Sequence, residues 1–252
     1  MRNLKHRLRA SGIHLAVSLC IAVLAALAVF GLWYPFPYRE ISGGRTLFLL
    51  LVTVDVIMGP LITLFIFSTG KCRKELVADL AVVGALQLAA LSYGLWTVFA
   101  ARPVHLVFEY TRMSVVHAID VDRASLAKAP PSLQALPLTG PTAIALRNFR
   151  DAVEQFNTTI AALDGAPLAA RSELWQPYVN SQTEILKVSK PVSDLRMRFA
   201  TQTLLIDAAI AKTGKHIDQL RYLPLVGRNQ AWTVLLDATT AEPRAFLPLD
   251  SF

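Results

Sequence analysis

The chain has 252 residues, 54% of them hydrophobic, a mean hydropathy of +0.43 and a formal net charge of +7. So large an apolar excess, almost all of it before Ala101, excludes an ordinary soluble domain and marks a membrane protein. The positive charge gathers at Arg2, Lys5, Arg7 and Arg9 and again at Lys71, Arg73 and Lys74, flanking apolar runs without any basic-aromatic recognition motif, so topology accounts for it and no nucleic-acid partner is expected.

The first apolar span covers about 13–34. It follows a basic N-terminus and runs into Trp33-Tyr34-Pro35 rather than a small-residue cleavage site, so it reads as an uncleaved anchor. Trp33, Tyr34, Phe36 and Tyr38 form an aromatic belt where the helix leaves the hydrocarbon, and Pro35 and Pro37 stop it. A short connection with Gly43-Gly44 leads to the second span, about 46–67, which carries Asp55 near its middle and then Gly59-Pro60. After the basic loop GKCRKE, the third span covers about 76–100, with Asp79 near its start, where a carboxylate suits a helix N-terminus, and Gln87 deeper in. Lys and Arg are retained on the cytoplasmic side, so their distribution predicts a cytoplasmic N-terminus and puts everything after Arg102 outside the inner membrane, in the periplasm if the source is a Gram-negative bacterium.

Residues 103–252 contain no cysteine, and Cys20 and Cys72 make no disulfide framework, so this region must hold together by its own core, for which its length suffices. Pro103–Tyr110 and Met113–Asp120 read as strands with a hairpin around Thr111-Arg112. From Arg150 to Asp164 the apolar residues Val153, Phe156, Ile160 and Leu163 recur at three and four, the spacing of an amphipathic helix. Trp175–Tyr178 is expected to open a second helical segment reaching Val188, and Pro191–Lys212 gives further helix ending at Gly214. Strands return at Leu220–Val226, Ala231–Leu236 and Arg244–Leu249, the last two joined by the polar turn Asp237–Pro243. The predicted fold class is therefore α+β: a three-helix transmembrane bundle over 1–102 and a periplasmic domain of antiparallel strands and helices over 103–252.

An ionisable group at mid-membrane costs roughly 2.5–3.5 kcal/mol on insertion scales, so Asp55 must face protein or water. Three roles are open to it: packing within the bundle, with Arg45 or, preferably, Gln87 as partner; reception of a client's transmembrane helix in a lateral groove; or a proton or ion path. Gly59-Pro60 favours a bend next to Asp55, because proline lacks the N–H for the carbonyl of Val56 and its ring clashes with that carbonyl. Outside the membrane, His105 and His117 lie on strands without further metal ligands, and no G-x-S-x-G, Cys-His, Walker or dinucleotide motif appears. No catalytic, cofactor or metal residue is assigned, and the chain is not expected to be an enzyme.

Tyr34-Pro35-Phe36-Pro37-Tyr38, then Ser42-Gly43-Gly44, Val54-Asp55-Val56-Ile57-Met58-Gly59-Pro60 and Arg102-Pro103-Val104, in this order, resemble the TfpX/TfpZ family of type IV pilin accessory proteins. The outer half is similar more loosely, through Gly140-Pro141, Leu163-Asp164-Gly165, Trp175–Tyr178 and Tyr222-Leu223-Pro224. The resemblance implies a non-catalytic, chaperone-like helper of the major pilin, without cofactors, whose membrane lipid and pilin are its partners. Asp55, Gly59, Pro60 and Gln87 are then the candidate client-binding residues. The competing readings are an ion-coupled transport component using Asp55 and a membrane-tethered periplasmic sensor.

Overall fold

A computed structural model describes residues 2–66, 72–163, 165 and 167–252, so the expected end of the second span at Phe67, Lys71 of the basic loop and Asp164 lie outside the described residues. The chain forms a helical unit (Met1–Arg39 and Gly43–Ala101) and an α/β unit (Glu40–Ser42 and Arg102–Phe252). In the helical unit, α1 (Arg2–Ala28) continues into a π-helical turn at Val29–Trp33, α2 covers Gly44–Ile66, and α3 covers Arg73–Ala100. All three are long and apolar enough to cross a membrane. Gly43, at φ 69°, supplies the left-handed residue that lets the chain turn into α2. At the start of α3, Glu75 accepts the Cys72 N–H at 3.2 Å, so the first-turn acid is Glu75 and Asp79 stands one turn further in.

The α/β unit is built on one eight-stranded sheet: β1 (Pro103–Glu109), β2 (Arg112–His117), β3 (Thr142–Leu146), β4 (Trp175–Pro177), β5 (Lys190–Pro191), β6 (Leu220–Val226), β7 (Ala231–Asp237) and β8 (Pro243–Leu247). Strands from both ends of the domain join in it, as expected. The sheet is mixed, however, because β1 pairs β3 and β2 pairs β6 in parallel, each pair joined by a long crossover rather than a hairpin. Trp175–Pro177, expected to open a helix, is the edge strand β4; the helix α5 (Gln182–Val188) starts after a 3₁₀ turn. Pro224 sits inside β6 without loss, because β5 pairs that edge at Arg221 and Tyr222 and β2 pairs it at Leu225 and Val226, leaving the proline between two partners where no ladder donor is needed.

Two buried clusters fill the space against the sheet. One joins Val107, Val116, Ile144 and Leu146 to Leu174 and Trp175. The other joins Leu220, Tyr222 and Leu235 to Val192, Leu195, Ile206 and Ala209 from α6 (Val192–Arg198) and α7 (Thr203–Thr213). The amphipathic helix is present as α4 (Ala152–Leu163), but its apolar stripe does not enter the core: Val153 and Phe156 are about two-thirds exposed and Ile160 nearly half. It is Thr158 that α4 buries, and Arg147 pins its first turn through Glu154 at 2.7 Å, an ion pair that holds the Glu154 carboxyl down at about 2.

Two buried polar groups of this unit have pKa values moved by the fold. His105 on β1 is 1% exposed, edge-on to Trp175 at 4.7 Å, with Nδ1 2.9 Å from Thr142 Oγ1, and burial pushes its pKa down to about 4. Asp237 closes the β7–β8 turn. Its carboxylate takes Lys215 and the N–H groups of Thr240 and Thr239, which hold its pKa well below the usual range. Because the folded state keeps His105 neutral while the unfolded chain binds a proton near pH 6.5, stability is full above pH 6.5 and falls by about 3 kcal/mol as pH drops toward 4. Unfolding of the detergent-solubilised protein, followed by tryptophan fluorescence, should show that fall, and His105→Phe should flatten this part of the profile; an unchanged profile contradicts the assignment. Asp237→Ala should lower the same unfolding free energy by roughly 2–4 kcal/mol, since three charge-assisted hydrogen bonds lose their acceptor.

Candidate functional site

The chemistry-bearing residues of the membrane bundle converge on α2. Proline at position 60 has no N–H to return to the preceding turn, and the helix accommodates this with one π-helical stretch, Val54–Met58, directly before Gly59-Pro60. Asp55 lies in that stretch. Thr53 Oγ1, next to it, donates back to Leu49 O at 2.8 Å.

Gln87 on α3 meets this irregular turn, but not in the manner expected. Its Nε2 donates to the main-chain oxygen of Asp55 at 3.2 Å, so it ties off a carbonyl of the π turn and leaves the carboxylate alone. Gly59 makes the approach possible, because a Cβ at that position would overlap the Gln87 amide. Arg45, the other partner considered, stands ten residues earlier on the same helix, roughly 15 Å along its axis. Asp55 Oδ2 is buried and has no hydrogen-bond partner among the described residues.

The bundle is fastened at two levels. Toward one end, Ser11 Oγ donates to Pro60 O at 2.8 Å, His14 Nδ1 lies 2.6 Å from Thr63 Oγ1, and Arg7 Nη2 reaches Phe65 O at 3.2 Å. Toward the other, Tyr34 OH donates to Val98 O at 3.1 Å, Phe30 meets Phe48 edge-on at 5.0 Å, and Trp33 meets Phe99 at 5.0 Å. Gly44 lets the Tyr34 ring pass against α2, since a Cβ there would overlap it.

Between these levels the helices do not close. A cavity of about 210 Å³ opens among all three, with His14 and Ser18 from α1, Val52 and Asp55 from α2, and Gly84 and Gln87 from α3 on its walls. The rest of its surface is aliphatic, from Val17, Ile21 and Leu88 among others. Gly84 has open space where a side chain would stand. The arrangement offers a buried carboxylate oxygen without a partner among the described residues, in a largely apolar cleft between helices. That is a geometry for receiving another apolar segment that brings a donor.

All four sequence-predicted residues thus fall together: Asp55 and Gln87 on the cavity wall, and Gly59 and Pro60 shaping the turn behind it. Sequence reasoning missed His14, Ser18 and Gly84. The signal was available in the spacing of Ser11, His14 and Ser18, which repeat at three and four within an apolar helix and so share one face. Outside the membrane, His105 is a core histidine, and His117 pairs with Asp120 at 3.1 Å; no group of three or more potential metal ligands occurs among the described residues.

The family model for fimbrial assembly protein FimB matches residues 2–43. Two fimbrial assembly proteins of Dichelobacter nodosus align over nearly the whole chain: that of serogroup I is 34% identical and that of serogroup E1 33% identical, each over 90% of this chain and 89% of its own length. The protein of serogroups C1 and C2 is 40% identical over 44% of this chain and 85% of its own length. No solved structure matches. With one third of the aligned residues identical over 90% of its length, the chain belongs to the fimbrial assembly protein family, a family of type IV pilus assembly and accessory proteins.

Proposed function

We propose that this protein receives the apolar helix of a type IV pilin in the cavity beside Asp55 and shields it until assembly, acting as a chaperone-like binding protein and not as an enzyme. The observation that carries the proposal is the buried, unpartnered Asp55 Oδ2 in a cleft left open between two fastened levels of the bundle. A carboxyl group kept in hydrocarbon without a partner is costly, so it is retained for something it meets. The names of the relatives as fimbrial assembly proteins support a pilus component as that something. Lipid covers the outward faces of the spans, where Leu24, Leu50 and Leu86 are more than half exposed. The basic N-terminus and the basic residues around the start of α3 support a cytoplasmic N-terminus and a periplasmic α/β unit.

Asp55→Leu should lower the amount of pilin co-purified with the full-length protein at least tenfold, the worth of one hydrogen bond to a buried group. The same substitution should leave the bundle as stable or more stable, because it removes an unsatisfied polar group. A purely structural Asp55 would give the reverse, a weaker bundle and unchanged capture. For the topology, Cys72 is exposed, and in intact cells it should resist a membrane-impermeant maleimide, while a cysteine placed at the exposed Leu138 should react. Labelling of Cys72 from outside contradicts the orientation.

A further inference from the structure

The α/β unit carries a second cleft that the membrane site does not use. Register places Ser114, Val116, Val226 and Tyr222 on one face of the sheet, since Ser114 pairs Val226 and alternate residues of a strand share a face. Both buried clusters lie on that same face, one around Val107 and Val116, the other around Tyr222 and Leu235. A cavity of about 580 Å³ takes Ser114 and Val116 from that face and Val115 and His117 from the other, so it wraps the edge that β2 leaves free beyond its pairing with β6. Thr159 and Leu168–Ala170 wall it on one side and Val226–Arg228 on the other. It runs from Glu109 and Arg112 to His117 and Asp120, the full length of β2, roughly 17 Å at strand rise.

Its ends differ chemically. Glu109 is matched within the protein, accepting from Arg112 at 2.9 Å and from Ser114 Oγ at 2.7 Å. At the other end β2 outruns β6, whose pairing stops at Ser114, and the His117 N–H is met by Asp120 Oδ2 at 3.3 Å instead of by a strand. The same carboxylate lies 3.1 Å from His117 Nδ1, and that hydrogen bond keeps Asp120 ionised below the usual carboxylate range. In the neutral ring this carboxylate holds the proton on Nδ1, and Nε2 carries the lone pair. That Nε2 is buried and without a partner, on a histidine 5% exposed. Arg228 stands exposed on the opposite lip and offers donors. A ligand for this cleft must therefore be long and narrow, bring an N–H or O–H to His117 and a carbonyl or carboxylate to Arg228, and place apolar groups against Val115, Val116 and Leu168. An extended main chain has donors and acceptors in that alternation.

We infer that this cleft over β2 is a docking groove for an extended peptide segment of the pilin, laid along the strand between the Leu168–Ala170 turn and the β6–β7 turn. The inference rests on the pilin reading above for the identity of the partner, and on the groove alone for its extended form.

The test places a photo-crosslinking residue at Thr159 or at Arg228, the two exposed lips, in the full-length protein co-expressed in membranes with the pilin of the same genome. Leu204, 88% exposed on α7, is the control position. Both lip positions should cross-link to one contiguous pilin segment, and the control should not. His117→Phe, which keeps a ring but no acceptor, should lower the yield from Arg228 about tenfold, as should Thr159→Trp, which fills the groove from its exposed lip. Lip yields equal to the control while pilin still co-purifies through the membrane cavity would overturn the groove and leave the first reading standing. Cross-links to a second copy of this chain also overturn it, and if pilin neither co-purifies nor cross-links, both readings fall.

Discussion

A backbone without one N–H and a carboxyl group without a counter-ion among the described residues share two turns of α2, and the organisation of the membrane unit follows from how they are met. Pro60 withholds its donor, so the helix takes up a π-helical stretch, and the main-chain oxygen of Asp55 in that stretch is satisfied by Gln87 from the third span. Gly59 makes room for that bond as it stands, because a Cβ there would overlap the amide in its present position. The cost of the irregular turn is thus absorbed by a neighbouring helix. The Asp55 carboxyl is not covered by the same device. Its Oδ2 stays buried at the edge of a cleft, with no partner among the described residues.

The rest of the bundle makes sense around that vacancy. Polar contacts from Ser11 and His14 fasten α1 to the far half of α2, and the Tyr34–Val98 bond with its aromatic neighbours fastens the other level. In lipid there is no hydrophobic drive to close the gap between them, so a cleft survives if each level is separately held. A soluble core with the same hollow would collapse or fill. In the α/β unit the same pattern recurs in different chemistry: beside a complete core, a groove follows the edge that β2 leaves free, with an unpartnered histidine nitrogen at its end.

Much of this was legible in the chain. Span number followed from apolar runs, and the closing strands from period-two patterning bounded by turn residues, so β6, β7 and β8 emerged close to where they stand. Asp55 and Gly59-Pro60 announced themselves as departures from an apolar helix. Three things did not show. Which groups share a cleft depends on the rotation of each helix, which a single span does not specify, so Gly84 and Ser18 passed unnoticed. Periodicity reports that α4 has an apolar face but not what that face meets, and Val153 and Phe156 turn outward. The parallel pairings of β1 with β3 and β2 with β6 arise between distant segments and leave no local trace.

The central claim is that a pilin helix lies in the cleft between the three spans, and in-membrane cross-linking reads it directly. A photo-crosslinking residue at Leu88 or Leu91 faces the cleft, whereas one at Leu86, 67% exposed, faces lipid. The account predicts that Leu88 and Leu91 cross-link to the apolar helix of pilin and Leu86 does not. Equal yields from all three positions, or yield from Leu86 alone, would contradict it.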